Sequence, residues 1–252
     1  MTPRSILVLV FLFLSSIIIA QEKHSANPDR PDQTDATYTI EKGYLQWENG
    51  FFFQHSEESK TYGIANVLFR LGVFKNFEFR LSGLLVHGKE KTIPANTGIQ
   101  SSELGFKLRL LKQKKILPAV SLNSSVTLPF LISKPFNTGQ VQNITKLLFS
   151  HDIDKTTQLG YNTGLITSKH KVPVWFYTIS FSEELNKRFG SFIESYSFFQ
   201  STAKPDFNFD GGISCSFSDL FVADMATGFS ASNSKSYFIT MGFAWLFPRK
   251  IF

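Results

Sequence analysis

The sequence predicts an all-β protein: an antiparallel transmembrane β-barrel of about 12 strands, preceded by a cleaved signal peptide. Three observations predict this class. The chain starts with a short apolar stretch, it contains 28 Phe, 7 Tyr and 3 Trp at a mean hydropathy of -0.04, and apolar residues alternate with polar ones through most of its length. Alternating strands that turn one face to lipid spread a large apolar surface along the chain and leave the mean hydropathy near zero.

Residues 1–20 have the features of a secretory signal peptide. Arg4 precedes an apolar stretch at 6–14, and Ala20 ends an acceptable cleavage site, so the mature chain would begin near Gln21. A single-pass membrane anchor is the alternative interpretation. The apolar stretch is shorter than the ~20 residues that a spanning helix needs, which favours the signal peptide.

Residues 21–41 precede the first predicted strand and are expected on the periplasmic side. They include Asp29, Arg30, Asp32 and Asp35. The spacing of these acids lacks the alternate-position ligands and the turn glycine of a calcium loop, so no metal site is predicted. We expect this segment to fold into the mouth of the barrel as a short plug, where its acids meet Arg70, Arg80, Lys107 or Arg109 and Arg30 meets an acid.

Residues 42–252 predict the barrel itself. Twelve segments alternate between apolar and polar positions, and they lie at 44–54, 62–73, 77–87, 101–111, 116–128, 143–152, 157–167, 173–184, 189–200, 206–217, 219–230 and 236–247. The connections between them are alternately short and long, as are the periplasmic turns and outer loops of outer-membrane barrels. An even number of strands then places both termini in the periplasm.

The second of these segments shows the alternation clearly, because Val67, Phe69 and Leu71 share one face while Asn66 and Arg70 share the other. A soluble β-sandwich also alternates. The barrel is favoured because the apolar faces carry long aromatic side chains in nearly every segment, whereas the opposite faces carry charges and glycines.

Charged residues of the predicted inner face form one group near the short turns. They are Glu48, Arg70, Glu78, Arg80, Lys107, Arg109, Glu194, Asp210 and Asp224. The basic residues lie on the second to fourth strands, and most of the acidic ones lie on the ninth to eleventh. One interpretation is a constriction with a transverse electric field that sets ion selectivity. The other is that these side chains pair across a narrow lumen and fill it.

Little in the sequence points to catalysis or to a cofactor. His55 and Ser56 are adjacent, so on a strand they point to opposite faces and make a poor base and nucleophile pair. No phosphate-binding loop, zinc spacing or nucleophile elbow is present. The net charge is +6, but the densest basic run, Lys112, Lys114 and Lys115, is more simply a solvated turn than a nucleic-acid site.

The mature chain opens with a motif that resembles the start of the MetA-pathway of phenol degradation family: Asp29-Arg30-Pro31-Asp32-Gln33-Thr34-Asp35, followed by Lys42-Gly43-Tyr44-Leu45-Gln46-Trp47-Glu48-Asn49-Gly50. Weaker matches follow in order, among them Gly160-Tyr161-Asn162-Thr163-Gly164 and Gly242-Phe243-Ala244-Trp245. The resemblance implies a Gram-negative outer-membrane barrel that passes small, hydrophobic or aromatic molecules. The family usually ends on an aromatic residue of the last strand, and here both Phe247 and Phe252 are candidates for the residue that the barrel assembly machinery reads.

Together these features predict an outer-membrane channel or transporter. Its expected partners are outer-membrane lipids, the barrel assembly machinery and an unidentified small solute, with no nucleic acid and no cofactor. Two alternatives remain open. One is a non-conducting structural barrel, and the other is a lipid-acting barrel enzyme that uses His55, His87 or His170.

Overall fold

The computed structural model describes residues 24–90, 95–233 and 235–252. The predicted signal peptide, residues 1–20, lies outside the described residues. The predicted all-β class and the count of twelve antiparallel strands are confirmed. The strands are β1 (Leu45–His55), β2 (Ser59–Phe74), β3 (Phe77–Glu90), β4 (Asn96–Leu111), β5 (Ala119–Thr127), β6 (Gln142–Asp152), β7 (Thr157–Ser168), β8 (Val174–Glu184), β9 (Phe189–Phe199), β10 (Asp206–Ser218), β11 (Phe221–Ser230) and β12 (Tyr237–Leu246).

The twelve strands close into one barrel in chain order. Each strand pairs with the strands before and after it, and β1 pairs with β12 in a register that places Gly50 opposite Gly242. Closure satisfies the backbone groups that an open sheet would leave unpaired at its two edges.

The largest difference from the predicted bounds is at the start of β4, at the end of the barrel away from both chain termini, where β2 and β3 are also longer than predicted. There β4 begins at Asn96, five residues before the predicted start, and Lys60 of β2 pairs with Lys89 of β3. The physical reason is that backbone hydrogen bonds between strands do not require an apolar face, so pairing continues beyond the last apolar position of each strand. Apolar alternation ends at that level, so a prediction from alternation ends the strands too early.

The connection between β5 and β6 is more structured than the predicted loop. It contains two short 3-10 helices, Pro129–Leu131 and Lys134–Phe136. Ser133 joins this connection to the outer end of β4, because its N–H donates to the Ile99 carbonyl over 2.9 Å and its hydroxyl accepts from the Ile99 N–H. No helix within the described ranges is long and apolar enough to cross a membrane.

The distribution of apolar and charged side chains is the reverse of that in a soluble protein. Phe79 and Met241 are 49% and 55% exposed on the outside of the barrel, whereas Arg70, Glu78 and Lys107 are fully buried inside it. An apolar exterior around a polar interior is the arrangement of a barrel whose outer surface contacts lipid.

Both ends of the described chain meet at one mouth of the barrel. Ile40, Tyr44 and Leu246 form a small buried apolar cluster there. The chain after β12 turns back beneath this cluster, and the Ile251 N–H donates to the Gly43 carbonyl over 2.7 Å. Phe247 stacks on Trp245, with 4.6 Å between the ring centroids.

Candidate functional site

The N-terminal segment, residues 24–44, runs inside the lumen before it leads into β1. It is bound to the wall on the way in, where the Asn27 N–H donates to Gln46 Oε1 over 3.0 Å. It reaches the far side at Thr34, whose hydroxyl contacts Thr178 Oγ1 of β8 at 2.7 Å. It then returns, and the Ile40 N–H donates to Glu78 Oε2 of β3 over 2.6 Å. The segment therefore crosses the lumen twice.

Asp29 is the residue of this segment that contacts the basic residues of β2, β3 and β4. These residues, Arg70, Arg80, Lys107 and Arg109, are called the basic wall below. One oxygen of Asp29, Oδ2, lies 2.5 Å from Arg80 Nη1, 2.6 Å from Lys107 Nζ and 3.5 Å from Arg70 Nη1. Burial alone would favour the neutral acid, but the three bases outweigh it and hold the pKa of Asp29 below its usual range. Asp29 is therefore a buried carboxylate with three cationic neighbours.

The basic wall also contains its own acids. Arg70 Nε donates to Glu78 Oε1 over 2.8 Å, and Arg70 Nη1 donates to Glu48 Oε1 over 3.1 Å. Arg109 lies nearer the mouth, half-buried, with its guanidinium 5.1 Å from the Tyr38 ring centroid. It forms no ion pair within the part of the chain that the structure describes.

Arg30 pairs with an acid of the wall. This acid lies on β11, beyond the place where β1 and β12 close the barrel. The Arg30 guanidinium binds Asp224 of β11 through two hydrogen bonds, Nη2 to Oδ1 at 2.8 Å and Nε to Oδ2 at 3.0 Å. The side chain lies flat against Gly50 and Gly242, because a Cβ at either glycine would overlap the guanidinium. The glycine pair thus provides the space through which Arg30 reaches its acid.

The remaining acids of the segment differ from each other. Asp35 accepts from Lys146 Nζ at 2.6 Å, a base that the sequence analysis did not select. Asp32 has no ion-pair partner among the described residues, and it lies instead beside the acids Glu194 and Asp210. Burial and the neighbouring Glu194 carboxylate raise the pKa of Asp32 well above its usual range.

Glu194 and Asp210 lie directly opposite each other on β9 and β10. Glu194 accepts hydrogen bonds from the segment, from the Gln33 N–H at 2.7 Å and from the Thr34 hydroxyl. Asp210 is only 7% exposed and lies beside the Glu194 carboxyl group, and no base among the described residues pairs with it. This side of the lumen therefore holds more acid than the bases near it can pair.

The described ion pairs do not run straight from the basic wall to the acidic one. The N-terminal segment lies between the two walls and contributes the partner on each side, Asp29 toward β3 and β4 and Arg30 toward β11. The sequence-predicted residues are thus gathered in one region, but the chain that joins them comes from residues before the barrel.

The segment separates two cavities in the lumen. The cavity farther from the mouth at which both chain ends lie, called the outer cavity, has a volume of about 590 Å³. The cavity nearer that mouth, called the inner cavity, has a volume of about 580 Å³. Arg30, Pro31 and Asp32 line both cavities. This stretch of three residues therefore lies between the outer and the inner cavity.

Aromatic side chains line the outer cavity, and the sequence analysis missed them. They are Phe52, Tyr196, Phe198 and Phe238. The sequence did contain a signal for them, since residues an even number of positions apart on a strand share a face. Phe52 is four residues from Glu48, and Phe238 is two residues from Thr240, so both are on inward-facing positions. Phe52 lies against Gly63 and Phe238 against Gly228, where a Cβ would overlap each ring. These rings therefore lie flat on the wall.

The histidines of the described chain are dispersed. His87 Nδ1 lies 2.7 Å from Thr97 Oγ1, and His151 Nε2 lies 3.3 Å from the Tyr161 hydroxyl. Ser56 contacts the Ser59 hydroxyl instead of His55. Within the described ranges no serine hydroxyl is hydrogen-bonded to a histidine.

A closed twelve-stranded barrel with an apolar exterior and a charged lumen defines the class of outer-membrane β-barrels. The chain belongs to the family described as "Putative MetA-pathway of phenol degradation", whose model matches residues 28–247. The predicted family is thereby confirmed. A search of curated proteins finds no significant match.

Solved structures of outer-membrane proteins share the fold. An outer membrane channel from Pseudomonas putida F1 superposes with a TM-score of 0.69 at 8% identity, over 86% of this chain and 99% of that one. The NanC porin gives a TM-score of 0.55 at 8% identity, over 79% and 98% of the two chains. The KdgM porin gives 0.52 at 11% identity, over 78% and 98%. At these identities the likeness concerns the fold.

Proposed function

We propose that this protein is a channel of the bacterial outer membrane for small, hydrophobic or aromatic molecules, and that its N-terminal segment is a plug. One observation carries the proposal: Arg30, Pro31 and Asp32 line the outer and the inner cavity at once. The space inside the barrel is interrupted by a stretch of chain that is not part of the wall. Displacing that stretch would join the two cavities into one passage.

The composition of the outer cavity supports the solute class. Its wall combines aromatic rings with polar groups, as in sites that bind small molecules with an apolar body and a few polar atoms. Side chains alone can fill the lumen of a barrel of about eight strands, and twelve strands enclose a wider one. Here two cavities, each of more than 500 Å³, remain.

The proposed orientation places both termini in the periplasm. The described chain enters and leaves at the same mouth, and the short connections, such as that between Phe74 and Phe77, lie at that end. Outer-membrane barrels have their short turns on the periplasmic side. The plug would therefore be inserted from the periplasm.

Deleting residues 26–36 tests the channel and the plug together. We expect the refolded variant to remain a barrel and to conduct several-fold more current in planar lipid bilayers than the full chain, because both ion-paired sides of the plug are removed. Liposome swelling with aromatic and sugar solutes of similar size would report the solute preference. A folded variant that conducts no more than the full chain would contradict the plug, and absence of conductance in both would favour a non-conducting structural barrel.

Ion selectivity of the opened barrel should depend on the basic wall. In the variant that lacks residues 26–36, we expect Arg70→Gln with Arg80→Gln to shift the reversal potential in a salt gradient toward cation preference, because Glu48 and Glu78 then lose two positive neighbours. Arg188→Gln in the same background is the control, because Arg188 lies in the exposed turn between β8 and β9. An unchanged reversal potential in the double variant would show that this wall does not line the ion path.

A further inference from the structure

The charge of the two cavities is opposite to the charge of the whole chain. The sequence as a whole carries a net charge of +6. Five acids contribute to the wall of the outer cavity: Asp29, Asp32, Asp35, Glu48 and Glu103. Three bases do so: Arg30, Arg80 and Lys146. Arg70 and Lys107 pair with Glu48 and Asp29 from behind this wall, so the acids of the outer cavity that no base compensates are Asp32 and Glu103.

The inner cavity has the same imbalance. Its acids are Asp32, Asp152, Asp154, Glu183 and Glu184, and its bases are Arg30 and Lys155. The two cavities share only the stretch from Arg30 to Asp32 and are otherwise lined by different residues. The acid excess is therefore a property of the whole path rather than of one cluster.

The bases of the outer cavity are already bound to acids of the protein. Arg30 pairs with Asp224, Arg80 with Asp29 and Lys146 with Asp35. Asp32 and Glu103 have no basic partner among the described residues, and Glu103 accepts only a neutral hydrogen bond from the Ser125 hydroxyl at 2.7 Å. What the cavity lacks is positive charge, and a solute could supply it.

Acids next to Asp32 add to the negative potential at this position. Glu194 and Asp210 act electrostatically on Asp32 from β9 and β10, and Asp29 does so from the segment itself. Asp210 is 93% buried, since only 7% of its surface is exposed, and it lies beside Glu194, its partner across the β9–β10 pair; neither acid has a base as partner among the described residues. A buried carboxylate without a partner is costly unless a cation approaches.

Aromatic rings stand on the same wall. Tyr196 follows Glu194 by two positions on β9, and its ring meets that of Phe198 edge to face at 6.2 Å between centroids. Phe52 and Phe238 lie flat against glycines, which leaves a ring face toward the lumen. Ring faces attract cations, and quaternary ammonium groups in particular.

We propose that the solutes preferred by this lumen are small organic cations, with an ammonium group carried on an aromatic or apolar body. The ammonium group would be held near Asp32, at the boundary between the two cavities, and the body would pack on the rings of the outer cavity. This inference rests on the proposed channel function and specifies its substrate class.

Binding to the refolded full chain in detergent tests the inference without any need for conductance. The probes are benzyltrimethylammonium, benzyl alcohol and benzoate, which share one ring and differ in charge. We expect the cation to bind roughly tenfold more tightly than the alcohol, the effect of one partly screened ion pair, and benzoate to bind most weakly. Equal affinities of the cation and the alcohol would overturn the inference.

Variants locate the charge that matters. Asp32→Asn with Glu103→Gln should reduce the affinity for benzyltrimethylammonium to that for benzyl alcohol, whereas affinity for the alcohol stays the same. Glu57→Gln is the matched control, because Glu57 is an exposed carboxylate that pairs with Lys235 at the outer rim. If the control weakens cation binding as much as the double variant does, the effect is non-specific surface attraction and the proposed site is wrong.

The pH dependence provides a second readout. The raised pKa of Asp32 means that a bound cation, which favours the carboxylate, displaces a proton, so the affinity should increase as the pH rises toward that pKa. Benzyltrimethylammonium has no titratable group, so the change reports on the protein. Asp32→Asn should reduce the slope to the part that comes from Glu194 and Asp210, and an unchanged slope in this variant would contradict the role of Asp32.

The outcomes also separate the inference from the proposed function. If the cation shows no preference but deletion of residues 26–36 opens a conducting pore, the channel stands and the substrate class is wrong. If the cation binds as expected but no variant conducts, the site stands and the channel is wrong.

Discussion

Replacing Asp29 with asparagine should release the N-terminal segment from the barrel. The change keeps the size of the side chain but removes the one negative charge that Arg80 and Lys107 share in a fully buried position. Breaking a buried ion pair by removing one partner typically costs about 3–5 kcal/mol. That cost falls on the docked state of the segment, because after undocking the two bases are hydrated in an open lumen.

Hydrogen exchange followed by mass spectrometry would measure this release. We expect amides of residues 27–40 to exchange more than a hundredfold faster in Asp29→Asn, which corresponds to about 3 kcal/mol of lost docking free energy. Amides of the strands should be unchanged. The conductance of the variant should approach that of the protein without residues 26–36.

The control for this prediction is Asp154→Asn, which removes a carboxylate from an exposed turn.

Lowering the pH provides a further check on the unmodified chain. The pKa of Asp29 is held below its usual range, so its contribution to docking is complete above the ordinary carboxyl pKa and is lost only as the pH falls through the depressed value. Asp29 should therefore still hold the segment at about pH 4. Slow exchange in Asp29→Asn would show that the contacts with Arg80 and Lys107 do not hold the segment.

Placing a side chain at Gly50 should have the second largest effect, and it does so without replacing a charged residue. The three nearest atoms to a Cβ at this position all belong to the Arg30 guanidinium. Gly50→Val should therefore push Arg30 out of its contact with Asp224 and open the path between the two cavities. The barrel should be no less stable, because valine is better suited to a strand than glycine.

Single-channel conductance and thermal unfolding together check this prediction. The expected result is an increase in open probability with no decrease in the unfolding midpoint. Gly88→Val of β3 is the matched control, because a Cβ there would have Thr61 Oγ1 as its nearest atom, at 3.7 Å, an ordinary contact. Equal conductance of Gly50→Val and the unmodified protein would mean that Arg30 can leave the glycine pair without opening the lumen.

Strand alternation was sufficient to predict the twelve strands and the inward direction of Arg70, Glu78 and Lys107. It could do so because the apolar exterior and the polar interior repeat with the period of the strand itself. Charge sign also suggested that acids of the segment would meet bases of the inner face. Which acid meets which base depends on the path of residues 24–44, and an irregular segment has no periodicity from which that path could be predicted.

The residues that were missed show the same limit. Lys146 shares the inner parity with Leu148 and Ser150 of β6, but it is the only lysine or arginine of that strand, whose other charged residue, Asp152, lies at the strand end. Phe52 and Phe238 are aromatic residues on inward positions, where the pattern predicts polar ones. An inward phenylalanine is accommodated because a glycine lies opposite it on the neighbouring strand, Gly63 for Phe52 and Gly228 for Phe238. Those pairs depend on the register between strands, which the sequence alone does not specify.

The path of the N-terminal segment also has a consequence for the order in which the molecule is built. The segment comes first in the chain, yet its contacts are with Asp224 of β11, Glu194 of β9, Lys146 of β6 and Arg80 of β3. These side chains surround a common interior only after β12 has paired with β1. The part of the protein that is synthesised first can therefore complete its contacts only once the last strand has paired with the first.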